Sequence, residues 1–165
     1  MGGLRWCRQD LECFAFGVQW TEQGFGICNI YVPCPLNFDW DIYVKKCYSL
    51  EIFGPSRWSN AVDQCRSTHP GAKLIEPRNA LENQRLAVMA GATDVWIGLY
   101  RPSISTDLND IRYSSDGQLI GYTQWGGGQP NNNNGQESVV MALSSANYKW
   151  FDKTRTEIGK FICEI

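Results

Sequence analysis

One histidine, His69, in 165 residues leaves little room for hydrolytic chemistry. Serines are plentiful, but a serine nucleophile needs an imidazole beside it. His69 sits in "THPG", where a helix should end, far from any acid–nucleophile pattern. Two carboxylates such as Glu137 and Asp152 are the minimum for splitting a glycosidic bond, yet with 17 acids in the chain such a pair carries no information. The chain is therefore expected not to be an enzyme. None of the seven cysteines stand as C-x-x-C, so a zinc finger lacks its ligands. No apolar run approaches the ~18 residues that a membrane span requires. No basic run suits nucleic acid, and the net charge of −2 comes from both signs scattered along the chain. The opening "MGGLRWCRQD" has no apolar stretch of the kind a secretion signal carries.

Seven cysteines in a chain of this length favour an oxidising compartment, so the protein is expected to be secreted or extracellular. An odd cysteine count and a missing leader together suggest a piece of a longer protein. Aromatic residues make up 13%, seven of them Trp, which is the composition of a folded chain. The length allows one full domain plus a small appendage. Residues 1–33 are rich in Cys, Gly and aromatics, and a boundary falls near "YVPCP". Beyond it, "NFDWDIYVKKCYSL" alternates as strand, turn, strand. "PSRWSNAVDQCRSTHPG" predicts a helix, with Ser56 as N-cap and Trp58, Ala61, Val62 and Cys65 on its apolar face. "EPRNALENQRLAVMAGA" predicts a second, with Asn79 as N-cap, Glu82 in capping-box position and Gly91 as terminator. From Val95 onward the period changes to two, and several short strands follow. The pattern is α+β. The polar stretch 123–138 is too long for a tight turn and is the loop most expected to carry function.

The segments "CPLNFDWDIYVKKCYSL", "WSNAVDQC", "LIEPRNALEN", "WIGL", "YTQW", "QPN", "WFD" and "FICEI" stand in the order seen in C-type lectin-like domains. The resemblance covers residues 34–165 and implies the C-type lectin fold, with two helices, antiparallel sheets and a long binding loop. It implies the disulfide Cys65–Cys163 and, for the long form, Cys34–Cys47. A further family bridge would fall on Val139 and Arg155 and is absent. Residues 1–33 resemble the later half of an apple or PAN module through "CRQDLECFAFGVQW" and "GFGICNIY". That resemblance implies Cys7–Cys13 and leaves Cys28 unpaired, because Gly3 stands where its partner would be. A disulfide-tied extension of no module identity is the alternative.

Calcium takes about 6–8 oxygen ligands. By the lectin resemblance, a cis Gln129–Pro130 bond would turn the side-chain carbonyls of Gln129 and Asn131 to one side. Glu137 would supply a carboxylate, and Asp152 a carboxylate and its backbone carbonyl. One calcium ion would then hold two neighbouring hydroxyls of a sugar. Two departures weaken that site. "WFD" puts Phe151 where the family has an amide, so a metal oxygen is lost and only stacking on a sugar face is left for that side chain. "QPN" carries two amides, so Gln129 and Asn131 both donate outward and Glu137 is the main acceptor; mannose-type and galactose-type specificity are not separated. Asn132 and Ser138 fall near the family's accessory calcium site, but the acids before it, Asp107 and Asp110, match only with a gap and are read as solvated loop carboxylates. The resemblance implies calcium-dependent carbohydrate binding, with a glycan partner. The alternative is a calcium-independent protein-binding or structural module of a larger extracellular protein.

Overall fold

The structure, a computed structural model, describes residues 34–49, 51–133 and 137–165, with Glu137 by its backbone alone, and the backbone of three short strands before residue 34. Contacts divide the chain into Met1–Pro33 and Cys34–Ile165. In the first unit β1 (Arg5–Cys7), β2 (Val18–Trp20) and β3 (Gly26–Cys28) form an antiparallel sheet in the order β1-β3-β2. The expected Cys7–Cys13 bridge falls on side chains outside the described residues.

The second unit opens with the hairpin of β4 (Phe38–Asp41) and β5 (Lys46–Ser49), stapled by Cys34–Cys47 as expected. β6 (Phe53–Arg57) runs directly into α1 (Trp58–Thr68). Ser56 is therefore not the N-cap: it belongs to β6, in register with Gly159, and Arg57 precedes the helix without a side-chain cap. Strand pairing wins over capping because the Ser56 carbonyl accepts the buried Trp96 Nε1 at 2.8 Å. The apolar face of α1 is the one expected, with Trp58, Ala61, Val62 and Cys65 buried. After β7 (Lys73–Leu74), α2 (Ala80–Ala90) starts on Asn79, whose Oδ1 accepts the Glu82 N–H at 2.9 Å. Glu82 does not close the expected box on the Asn79 N–H; its carboxylate accepts the Arg78 N–H at 3.0 Å and the Asn79 amide at 3.0 Å. Gly91 ends α2 at φ 61°, a left-handed conformation that suits glycine.

The strands that follow are β8 (Val95–Tyr100), β9 (Arg112–Tyr113), β10 (Glu137–Leu143), β11 (Lys149–Thr154), β12 (Ile158–Phe161) and β13 (Cys163–Glu164). One sheet runs β11-β10-β8-β12-β6, with β9 on β8, and the other runs β4-β5-β13-β7. The terminal "GKFICEI" thus splits between two sheets, and β12 pairs with β8 in parallel, a departure from the antiparallel expectation. This is the C-type lectin fold. The sheets enclose a core whose largest fully buried side chains include Trp96, Trp150 and Phe161.

Glu76 is fully buried, yet it accepts hydrogen bonds from Lys73 Nζ at 2.9 Å, Arg78 Nη2 at 3.1 Å, and the Ser115 N–H and hydroxyl at 2.8 and 2.6 Å. Such saturation is what makes a buried carboxylate tolerable. Gly98 leaves the room, since a Cβ there would stand 2.7 Å from Glu76 Cγ.

Cys65–Cys163 joins α1 to β13 across 98 residues of sequence. Closing so long a loop restricts the unfolded chain strongly. Replacing both cysteines by Ala is expected to lower stability by about 2–5 kcal/mol, read as a lower denaturation midpoint with an unchanged fold by circular dichroism.

Candidate functional site

Strand β11 builds the floor of the site by alternation. Trp150 and Asp152 point to its buried face, while Phe151 lies on the other. Trp150 is fully buried, donates from Nε1 to Asn83 Oδ1 at 2.8 Å, and meets Tyr122 and Trp125 edge-on. It also holds the start of the loop, accepting the Gly126 N–H at 2.9 Å and donating its own N–H to the Gln124 carbonyl at 2.8 Å. Two residues on, Asp152 is only 3% exposed. Its Oδ1 accepts the Asn131 N–H at 3.0 Å and its Oδ2 accepts the Asn132 N–H at 2.7 Å. The carboxylate thus fixes the loop backbone at the residues that follow Pro130.

The other residues expected at the site fall as follows. The Gln129–Pro130 bond is cis. Gln129 donates its N–H to the Gly126 carbonyl at 3.1 Å, and its buried Oε1 has no hydrogen-bond partner among the described residues. Asn131 is exposed, and its Oδ1 accepts the Asn133 N–H at 2.9 Å. Glu137 begins β10 opposite Thr154, and its side chain lies outside the described residues. Asp107 and Asp110 are engaged locally, the first accepting the Asn109 N–H at 2.8 Å, the second paired with Arg112 at 2.7 Å. Among the described residues, no three His, Cys, Asp or Glu side chains converge on one point.

Phe151 is half-buried, packed on the loop. A Cβ built on Gly126 would stand 2.6 Å from Phe151 Cε2, so the ring occupies the space that the missing side chain leaves. The aromatic residue and the glycine are a matched pair. Of the three glycines before "QP", this is the one the ring needs.

Two arginines to which the sequence assigned no binding role brace the loop. Arg101, 5% exposed, donates from its guanidinium to Asn132 Oδ1 and from its N–H to the Ser138 carbonyl at 2.8 Å. Arg155 donates from Nε to Ser138 Oγ at 2.7 Å and from Nη2 to the Arg101 carbonyl at 3.2 Å. Arg155 stands where the lectin resemblance puts one half of the absent bridge, and Ser138 neighbours Val139, the other half. Hydrogen bonds therefore hold the two limbs together where a disulfide would have stood. The only sequence signal for Arg101 was a charge directly after the apolar run "VWIGLY".

Calcium would find acceptors in this arrangement. Gln129 Oε1 is a buried carbonyl oxygen that no donor among the described residues meets, which costs free energy unless a donor or a cation reaches it. Each Asp152 oxygen, with one hydrogen bond from the loop, keeps further lone pairs. The donor set fits a hard cation that prefers oxygen.

The Lectin C-type domain profile matches residues 54–165. The chain belongs to the C-type lectin domain family. It is similar to Lectin BRA-3 of Megabalanus rosa, 29% identical over 86% of this chain and 84% of that protein. Among solved structures it resembles the C-type lectin CEL-I of Cucumaria echinata, at TM-score 0.67 and 26% identity over 79% of this chain and 96% of that one. It also resembles the cow carbohydrate-recognition domain of CD23, solved in the presence of a GlcNAc2Man3 oligosaccharide, at TM-score 0.65 and 28% identity over 80% and 95%.

The fit between Phe151 and Gly126 is testable by a double-mutant cycle. Gly126→Ala alone is expected to cost about 1–3 kcal/mol, because the ring has to move. In a Phe151→Ala background the same change should cost little, read from denaturation midpoints of the four proteins.

Proposed function

We propose that this chain is an extracellular lectin domain that binds glycans through the loop 126–137, with one calcium ion held by Gln129, Asn131, Glu137 and Asp152. The observation that carries this reading is the orphaned Oε1 of Gln129, on a loop whose backbone the Asp152 carboxylate already fixes. Glycan binding is supported at the level of the family, by relatives named as lectins and by a fold neighbour solved with an oligosaccharide.

When bound, calcium supplies a positive centre that two neighbouring sugar hydroxyls can approach as ligands. The chain's own residues do the rest. Gln129 and Asn131, turned with oxygen inward, present amide N–H donors to the hydroxyls, and Glu137 presents acceptors. Asp152 keeps the Asn131 and Asn132 backbone in place. Phe151 ligates nothing; its ring is committed to Gly126, so it acts on the shape of the loop rather than as a free stacking platform. Two carboxylates give the ion less charge than a richer site would, which places affinity toward the weak extracellular end, roughly 10⁻⁴–10⁻³ M.

A second reading has its own support. Asp152 and Arg101 already bind the loop at Asn131 and Asn132 without a metal. A loop held this way suits calcium-independent recognition of a protein.

Calorimetric titration with calcium, followed by glycan-array binding with and without chelator, separates the two. The expected result is calcium uptake in the millimolar range or below and glycan signals that chelator removes. No uptake at several millimolar sinks the calcium reading. Asp152→Ala is expected to abolish uptake and glycan signals together. Phe151→Asn, which restores an amide oxygen, should tighten calcium binding several-fold, measured in the same titration.

A further inference from the structure

A groove of about 510 Å³ opens between α1 and the segment after β8, and none of the residues proposed for the calcium site lines it. Trp58, Val62 and Arg66 form one wall. They stand four residues apart along α1 and so share a stripe of the helix. Tyr100 and Ile104 face them, and Arg155 closes one end. The Trp58 and Tyr100 rings lie 5.9 Å apart at the bottom, and the Arg155 guanidinium carbon is 6.0 Å from the Trp58 ring centre. Ile104 stands at the rim, 93% exposed.

The charge of this groove runs against that of the chain. Acids outnumber bases 17 to 15 overall, yet the lining holds two arginines and no acid. Among the described residues no carboxylate pairs with Arg66 or Arg155, although six other Lys and Arg side chains here do form ion pairs: Lys46, Lys73, Arg78, Arg85, Arg112 and Lys153. Arg155 is held by Ser138 Oγ and the Arg101 carbonyl, which are neutral, so its position is fixed while its charge stays uncompensated. Arg66 lies exposed in the last turn of α1.

We propose that this groove is a second, calcium-independent site for an anionic sugar bearing sulfate or carboxylate groups. The guanidiniums would take the oxyanions through paired N–H donors, a geometry in which Arg excels. The apolar floor and Ile104 would cover the carbon face of the sugar ring. An acidic peptide fits less well, because among the described residues the lining is a helix stripe, Tyr100 of the interior strand β8 and the loop residues after it, rather than an open strand edge for a peptide backbone to pair with. The choice of a sugar as carrier rests on the glycan reading of the loop; the site itself does not.

The test is titration of the whole chain with a sulfated heparin-type tetrasaccharide in chelator, so that failure of the calcium site leaves the outcome untouched. Expected are saturable binding, loss of most of it on raising salt from about 0.05 to about 0.5 M, and about tenfold weakening in Arg66→Glu. Arg66 touches nothing in the loop, so that variant should keep the calcium uptake of the parent. Arg155→Lys, which retains charge but loses the fork, should weaken binding less than Arg66→Glu. The proposal is overturned if the tetrasaccharide does not bind, if Arg66→Glu binds equally, or if the desulfated tetrasaccharide or a polyglutamate peptide binds as tightly.

Discussion

The long loop has a shape because one buried carboxylate accepts two of its backbone N–H groups. Asp152 reaches Asn131 with one oxygen and Asn132 with the other, so the residues after Pro130 are registered to β11 rather than to solvent. The position of Asp152 follows in turn from strand alternation. Trp150, two residues earlier on the same face, is anchored to Asn83 and to the start of the loop through Gln124 and Gly126. An apolar anchor and a polar clamp thus share a single face of a single strand. Moving β11 by one residue would put Phe151 under the loop and Asp152 outside.

Arg101 extends this arrangement with opposite charge. Asn132 sits between them, its N–H on Asp152 and its Oδ1 on Arg101, in a left-handed conformation at φ 48° that asparagine tolerates better than most residues. Carboxylate, amide and guanidinium form a chain through the turn. Arg155 and Ser138 then tie the returning limb to Arg101. Order that a covalent bridge would have supplied by restricting the unfolded chain is supplied here by native-state hydrogen bonds, several of them charge-assisted. The physical consequence is different in kind: charge-assisted bonds weaken as salt screens them where they meet solvent, and a disulfide does not.

Much of the fold was legible in the sequence, because its signals are local and periodic. The Trp58, Ala61, Val62, Cys65 stripe, the Asn79 cap and the Gly91 stop each follow from chemistry within one or two turns of chain, and Cys34–Cys47 and Cys65–Cys163 followed from the lectin resemblance. Ser56 misled for the same reason. Its capping chemistry is local, but the partner that claims it, Gly159, is about a hundred residues away. The site was legible only in part. "QPN" and "WFD" marked the loop and its floor, whereas the roles of Gly126, Arg101 and Arg155 depend on contacts between residues far apart in the chain.

Phe151 shows how far those contacts alter a reading made one residue at a time. Seen in "WFD", it is the loss of an oxygen from a metal site. Set against Gly126, it is also a packing element that ties the first limb of the loop to β11 on the face opposite Asp152. The two faces of that strand then do complementary work: one clamps the loop backbone through a carboxylate, the other presses a ring onto a glycine. A loop secured from both faces needs little from an ion to keep its shape, so a calcium ion bound there would act on a ligand more than on folding.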